Sequence, residues 1–390
     1  MFRAVRCVLG SLVLGGALAP PAGAQVRGVV FDDANASGAR DPGERGLAGV
    51  AVSNQADVVL SGTDGGFELA PASGIVFVSV PDGRRVVGRS WQRTGSGAAP
   101  LLFALAPMPR PAEFTFIHAS DTHLAEPSLP RMRRLRALAD SLRPAFVLIT
   151  GDLVRDALRV PEPEAAGYYD LFVRETGAFP VPVHPVPGNH ELFGIERHHS
   201  LVAETNPMYG RGMYRHYLGP DYYSFTHGGV HFVGLNTADH DDLWYYGHVD
   251  SLQMRWLERD LAVLPPGMPV VTFNHIPFAS AVHDLDGFQE AGPAPTLIRI
   301  RGTSRYRHVV SNADSVIKAV GHRRLAIALG GHMHRRESLA LPVDGGTIRF
   351  HQAAAVVGPA AAAGIATPSG ITLYRVRDGV VDDGTFVPLS

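Results

Sequence analysis

The chain has 390 residues, 45% hydrophobic and 18% charged, too apolar for a disordered chain and long enough for about two domains. Its formal charge of −2 supplies no global basic field for nucleic acid or anionic lipid. Cys7 is the single cysteine, which excludes disulfide scaffolds, cysteine–zinc sites and thiol nucleophiles from the rest of the chain and leaves metal binding to His, Asp, Glu or Asn.

At the N-terminus Arg3 and Arg6 precede an apolar run over residues 8–18, Pro20 and Pro21 break it, and Ala22, Gly23 and Ala24 give a small-x-small pattern before Gln25. A membrane span needs about 20 apolar residues, and this run is half that, so a signal peptide is expected over residues 1–24. The protein is therefore expected to be secreted or periplasmic, with no membrane span after cleavage. Residues 26–31, 49–53, 58–61, 66–69 and 75–80 are then short, rich in β-formers and separated by Gly/Asp turns. They predict a small all-β sandwich domain over residues 25–107, with a stiff Pro-rich linker at 106–111.

Inside that domain Asp33, Asn35 and Ser37 place oxygen side chains on alternate residues, Gly38 makes a bend, and Asp41 and Glu44 complete the loop. A calcium ion needs oxygen ligands at such spacing. The loop resembles those of bacterial surface β-sandwich repeats. The alternative is an Asx-rich turn that holds no ion.

From residue 114 the pattern changes to apolar runs at 114–118, 145–149, 181–186, 230–235, 270–273 and 325–329, alternating with helix-like stretches. Met132, Leu135, Leu138 and Leu142 recur at helical spacing, and Asp250 with Gln253 predicts a capping box for a helix carrying Trp256, Leu257 and Leu261. Strands alternating with helices indicate an α/β sandwich. Just past the ends of these strands lie Asp121 and His123, Gly151-Asp152, Gly188-Asn189-His190-Glu191, Asn274-His275, and Gly331-His332-Met333-His334. In open α/β sheets ligands gather beyond the carboxyl ends of the strands, so five loops can aim enough N and O donors for two metal ions.

These blocks, in this order, resemble the calcineurin-like metallophosphoesterase superfamily over residues 114–390, in its exported bacterial type with an N-terminal β-sandwich domain. The resemblance implies a four-layer α/β/β/α catalytic domain over residues 108–390. It implies two divalent transition-metal ions (Mn, Fe or Zn), one held by Asp121, His123 and His334, the other by Asn189, His275 and His332, with Asp152 bridging. The implied reaction is hydrolysis of phosphate mono- or diesters by a hydroxide shared between the metals. His190 corresponds to the non-ligand histidine that stabilises the transition state or protonates the leaving oxygen. Its usual aspartate partner is replaced by Arg155, leaving Glu191 or Asp156 to orient it. Purple acid phosphatases carry a metal-binding Tyr at the Arg155 position, so an iron–tyrosinate site is not expected.

Arg155, Arg299, Arg301, Arg305 and Arg307 are candidate contacts for substrate phosphate, since guanidinium forks match its oxygens. A solvated strand face is the alternative for the last four. Residues 279–307 form a long polar insertion of the kind that serves as a lid. The expected partner is a small phosphate ester, without nucleic-acid specificity, and the oligomeric state is left open. The competing class is a catalytically inactive member of the fold acting as a binding or cell-envelope interaction protein.

Overall fold

The structure is a computed structural model that describes residues 25–95, 99–287, 290, 295–321, 324–344, 346–362 and 365–389. The expected signal peptide at 1–24 lies outside the described residues. Among the described residues, no helix is long and apolar enough to cross a membrane.

Alternating apolar residues close the N-terminal part into two four-stranded sheets. In one, Val26–Asp32 pairs antiparallel with Gly66–Leu69 and parallel with Leu101–Pro107, and Arg84–Val87 completes the sheet. The other orders Val58–Leu60, Ala51–Ser53, Ile75–Val78 and Trp91–Arg93. Val30, Val52, Phe67, Val76, Phe103 and Leu105 fill the space between them. Leu101–Pro107 takes Ala106 and Pro107 out of the expected linker. Pro107 ends the strand, a position where a missing N–H costs no ladder bond.

From Glu113 onward two six-stranded sheets face each other. The first contains Val183–Val186, Val147–Thr150, Glu113–Ala119 and Gly370–Arg377 in that order. The second runs Tyr223–His227, Val230–Leu235, Pro269–Asn274, Arg324–Gly330, Gly346–Gln352 and Glu337–Val343. Phe116, Phe146, Phe225, Phe232, Phe273 and Tyr374 form an aromatic core between the sheets. Strands buried on both faces read as continuous apolar runs rather than alternating ones. Leu129–Leu142 and Glu162–Gly177 cover the outer face of the first sheet. Ser251–Ala262 and Ala313–Gly321 cover the outer face of the second. This is the four-layer α/β/β/α arrangement, preceded by an all-β sandwich.

The helix Ser251–Ala262 is capped by Asp250, whose side chain accepts from the amides of Leu252 and Gln253. The capping box is only half present. Gln253 is buried and turns instead to Asn236, accepting from its N–H and donating to its carbonyl, both at 2.9 Å. A core partner brought by the fold outcompetes the cap.

The sandwich is joined to the α/β layers by buried polar contacts. The Gln55 amide donates to Asp221 Oδ1 at 3.0 Å and to the Tyr222 carbonyl at 3.2 Å, and Ser79 and Ser224 hydroxyls meet at 2.9 Å. Phe77 packs edge-on against Trp256, ring centroids 6.2 Å apart. The predicted insertion at 279–307 contains a short helix, Ala281–Asp286, and a hairpin of Leu297–Ile300 with Thr303–Tyr306.

Candidate metal centre

Each block of the sequence leaves a strand within a few residues of its C-terminal end: Asp121 after Glu113–Ala119, Asp152 after Val147–Thr150, Asn189 after Val183–Val186, His275 after Pro269–Asn274 and His332 after Arg324–Gly330. Loops that turn this sharply require unusual backbone. Asp121 (φ 53°), His123 (37°), Asp152 (46°), His332 (71°) and His334 (54°) all adopt the left-handed region. That conformation costs a non-glycine residue about 1–2 kcal/mol, and it persists where surrounding bonds over-determine it. Here the loops are laced to one another. Asp121 N–H donates to the Gly151 carbonyl at 3.1 Å, His123 N–H to that of Asp152 at 2.8 Å, Gly331 N–H to that of His275 at 2.9 Å, and His190 N–H to Asp152 Oδ1 at 2.9 Å.

Two glycines permit the close approach. Gly151 has φ 80°, and a Cβ there would lie 2.5 Å from the His275 side chain. A Cβ on Gly188 would lie 2.3 Å from Asp152 Oδ1. Glu191 then fixes the loops from below. One of its oxygens accepts from the amides of Leu153 and Val154 at 2.8 and 3.0 Å, the other from Gly188 at 2.6 Å. Burial first, then the Asp152 charge, push its carboxyl up to about 8.

The side chains converge in two groups that share one carboxylate. Ligand atoms of Asp121, His123, Asp152 and His334 lie within 4.8 Å of one another, as do those of Asp152, His275 and His332. Asn189 Oδ1 joins the second group, 3.2 Å from His275 Nε2. His123 Nε2 stands 3.1 Å from His334 Nε2, and His332 Nδ1 stands 3.1 Å from His275 Nε2. Asp121 Oδ1 is buried and stands 3.2 Å from His334 Nε2. Lone pairs aimed at a common point repel unless a proton or cation lies among them, so this N/O donor set fits divalent transition metals.

The electrostatics agree. Burial opposes ionisation of Asp152, yet the charges of His275 and His190 outweigh it and hold the carboxyl well below its usual range. Burial works against a charged His275, but Asp152 raises it to about 9, so a proton sits there until a cation displaces it. His123 falls to about 4 because it is buried, leaving a neutral imidazole able to ligate. His275 Nδ1 faces the Thr150 carbonyl at 2.7 Å, so Nε2 is the atom turned to the site.

His190 lines the same cavity, of about 800 Å³, with Arg155, Tyr245, His283, His308 and Met333. Its Nδ1 lies 2.6 Å from the Arg155 carbonyl, and its Nε2 faces the centre 3.8 Å from Asp152 Oδ2. Neither expected carboxylate orients it. Glu191 is spent on the three amides, and Asp156 accepts from the amides of Leu158 and Arg159 and from the Arg159 side chain. A backbone carbonyl serves because the loop brings it nearer than any side chain.

Of the candidate arginines only Arg155 lines the cavity. Arg299 and Arg305 lie on the hairpin away from the cavity lining, and Arg301 is exposed and paired with Asp241. Arg307 is buried, its guanidinium 4.2 Å over the Tyr245 ring, where it braces the wall from behind. Tyr245, His283 and His308 carried no motif in the sequence. Glu196, His198 and His199 also converge, but Glu196 is paired with Arg159 and both histidines face solvent.

The loop proposed for calcium is closed by its own hydrogen bonds. Asp33 accepts from the amides of Ser37 and Gly38, Asp41 from Asn35 and Ser37 side chains, and Glu44 from the amides of Ala34 and Asp41. Asp33, Asp41 and Glu44 do not bring three carboxylate oxygens within 4.8 Å of one another. Side-chain-to-backbone bonding of this kind is what an Asx-rich turn needs.

Comparison with known proteins gives four findings. A protein from Rhodococcus erythropolis named "Probable cyclic nucleotide phosphodiesterase" is 24% identical over 239 residues, 59% of this chain and 67% of that protein. Among solved structures, a dimetal phosphatase from Danio rerio aligns with 14% identity and a TM-score of 0.44, covering 71% of this chain and 99% of that one. GAP50 of Plasmodium, described as an anchor in the inner membrane complex, aligns with 12% identity and a TM-score of 0.46, covering 71% and 85%. The family model described as calcineurin-like phosphoesterase matches residues 114–336, more than half of the sequence and all seven candidate ligand positions, and the chain belongs to that family.

Proposed function

We propose that this chain is a metal-dependent hydrolase of phosphate mono- or diesters, exported from the cytoplasm through residues 1–24. The observation that carries the reading is the single carboxylate of Asp152 shared by two groups of N/O donors. Two bound divalent cations would lower the pKa of a water between them and neutralise charge on the phosphoryl oxygens. The chain's own residues supply the rest. His190 is held by the Arg155 carbonyl so that Nε2 points into the cavity, where its imidazolium form can give a proton to the leaving oxygen. Arg155 adds a cation at the rim, and Tyr245, Met333 and Val357 add apolar surface to the lining. The cavity is larger than a phosphate group and leaves room for an organic substituent, and the name of the Rhodococcus relative adds a cyclic nucleotide to the substrates worth testing.

The test is metal content together with rates on p-nitrophenyl phosphate, bis-p-nitrophenyl phosphate and a cyclic nucleotide, after reconstitution with Mn²⁺, Zn²⁺ or Fe²⁺. Close to two metals per chain and turnover abolished by chelator are expected. No turnover on any ester with any of these metals would favour the binding-protein class instead.

A further inference from the structure

One side chain outside the seven-ligand set touches the far nitrogen of a ligand. His308 Nδ1 lies 2.7 Å from His332 Nε2, with ring planes inclined by 28° and centroids 4.9 Å apart, so the two imidazoles meet edge to edge. The segment that delivers it follows the 279–307 insertion and is pinned on both sides. Arg307 N–H donates to the Thr296 carbonyl at 2.9 Å, Val310 N–H donates to the Pro277 carbonyl at 2.9 Å, and the Arg307 guanidinium is stacked on Tyr245. His308 is therefore held in place independently of His332.

Only one of the two possible proton arrangements across this contact allows a cation. The His332 atom that joins Asp152 and His275 is Nδ1, 3.1 Å from His275 Nε2. If His308 Nδ1 carried the proton and donated, a neutral His332 would hold its own proton on Nδ1 and aim it at that position. If His332 donates from Nε2–H, its Nδ1 lone pair is free to ligate. We infer that His308 is a positioning residue that accepts from His332 Nε2–H and so fixes the tautomer and ring angle of a ligand to the second cation, the one shared by Asp152, Asn189, His275 and His332. Outer partners of this kind typically set metal affinity by about 10–100-fold. The inference rests on the two-cation part of the phosphoesterase reading and not on its substrate. It gives the polar insertion a structural role, since the chain re-enters the core through His308.

The experiment is a chelator-competition titration of the full chain with Zn²⁺, comparing wild type with His308→Asn and His308→Leu. Asn keeps an acceptor near the position of the imidazole Nδ1, whereas Leu fills the volume without one. His308→Leu is expected to weaken the second zinc by about 10–100-fold and leave the first unchanged, and His308→Asn to recover most of the loss. Leu binding both zincs as tightly as wild type, or both variants weakening both sites equally, would overturn the assignment. A second measurement needs no variant: ¹⁵N-histidine NMR of the zinc-loaded wild type should show His332 protonated on Nε2, and protonation on Nδ1 would overturn it. Because neither readout uses turnover, protein that binds two zincs with the expected tautomer but hydrolyses nothing would sink the phosphoesterase reading alone.

Discussion

At the scale of single residues, ligands and catalytic groups are separated by what each side chain touches. Asp152 faces both donor groups, so Asp152→Asn should lose both metals and all turnover, which metal analysis of the purified variant checks. His190 faces the centre but is anchored elsewhere, by the Arg155 carbonyl. His190→Ala should keep both metals and lose about 10²–10⁴-fold in rate on an alkyl phosphate, with a clearly smaller loss on a nitrophenyl ester whose leaving group needs no proton. Equal losses on the two esters would instead make His190 an electrostatic contact. Glu191 belongs to a third type, touching neither donor group but holding three amides of the loops that carry Asp152 and Asn189. Glu191→Gln turns an acceptor into a donor against an N–H that cannot move. It should cost about 1–3 kcal/mol of stability in chelator above pH 8, where the Glu191 carboxylate is ionised, read by urea unfolding.

At the scale of elements, the sandwich and the α/β layers meet at Asp221. Its buried carboxylate accepts from Gln55 of the sandwich, from Arg215 at 2.8 Å and from Asn236 at 3.0 Å. Burial opposes its ionisation, but the charges of Arg215 and Arg211 prevail and hold it at about 2. Asp221→Ala would leave Arg215 and the side-chain amides of Asn236 and Gln55 without this acceptor, while Arg211 keeps Asp239 and Asp250. Breaking a buried pair in this way typically costs about 3–5 kcal/mol, and the loss should appear in the unfolding of the whole chain. A loss confined to the sandwich, seen as a separate early transition, would show that the contact does not couple the two parts.

At the scale of the whole molecule, buried neutral histidines set the acid limit. His118 lies in the first sheet with Nε2 at 2.9 Å from Thr150 Oγ1, and its Nδ1 is buried without a partner. Burial and the neighbouring His351 lower it to about 3. The folded protein therefore keeps His118 neutral while the unfolded chain takes a proton below about pH 6.5. Stability is fully present above that pH and falls toward pH 3, by about 1.4 kcal/mol per unit from this residue. His118→Gln, which keeps a donor for Thr150 and cannot titrate, should be less acid-sensitive by that slope. Urea unfolding of both proteins in chelator at pH 7 and pH 5 measures it, and identical slopes would show that His118 already titrates normally in the fold.

The ligand blocks, the order of the strands that present them and the division into a β region and an α/β region were legible in the sequence. Those features depend on local chemistry: donor type, glycine beside a ligand, and apolar runs long enough for a doubly buried strand. Other features depend on chain segments far apart in sequence, and they had to wait for the fold. Gln253 left its cap for Asn236, His190 took a carbonyl instead of Glu191 or Asp156, and Arg299, Arg301 and Arg305 stayed out of the cavity lining. His308 reached His332 across an insertion that carries no motif. A side chain's type fixes what it is able to bond. Which of several able partners it bonds is decided by distance and burial, and those exist only after the sheets have packed.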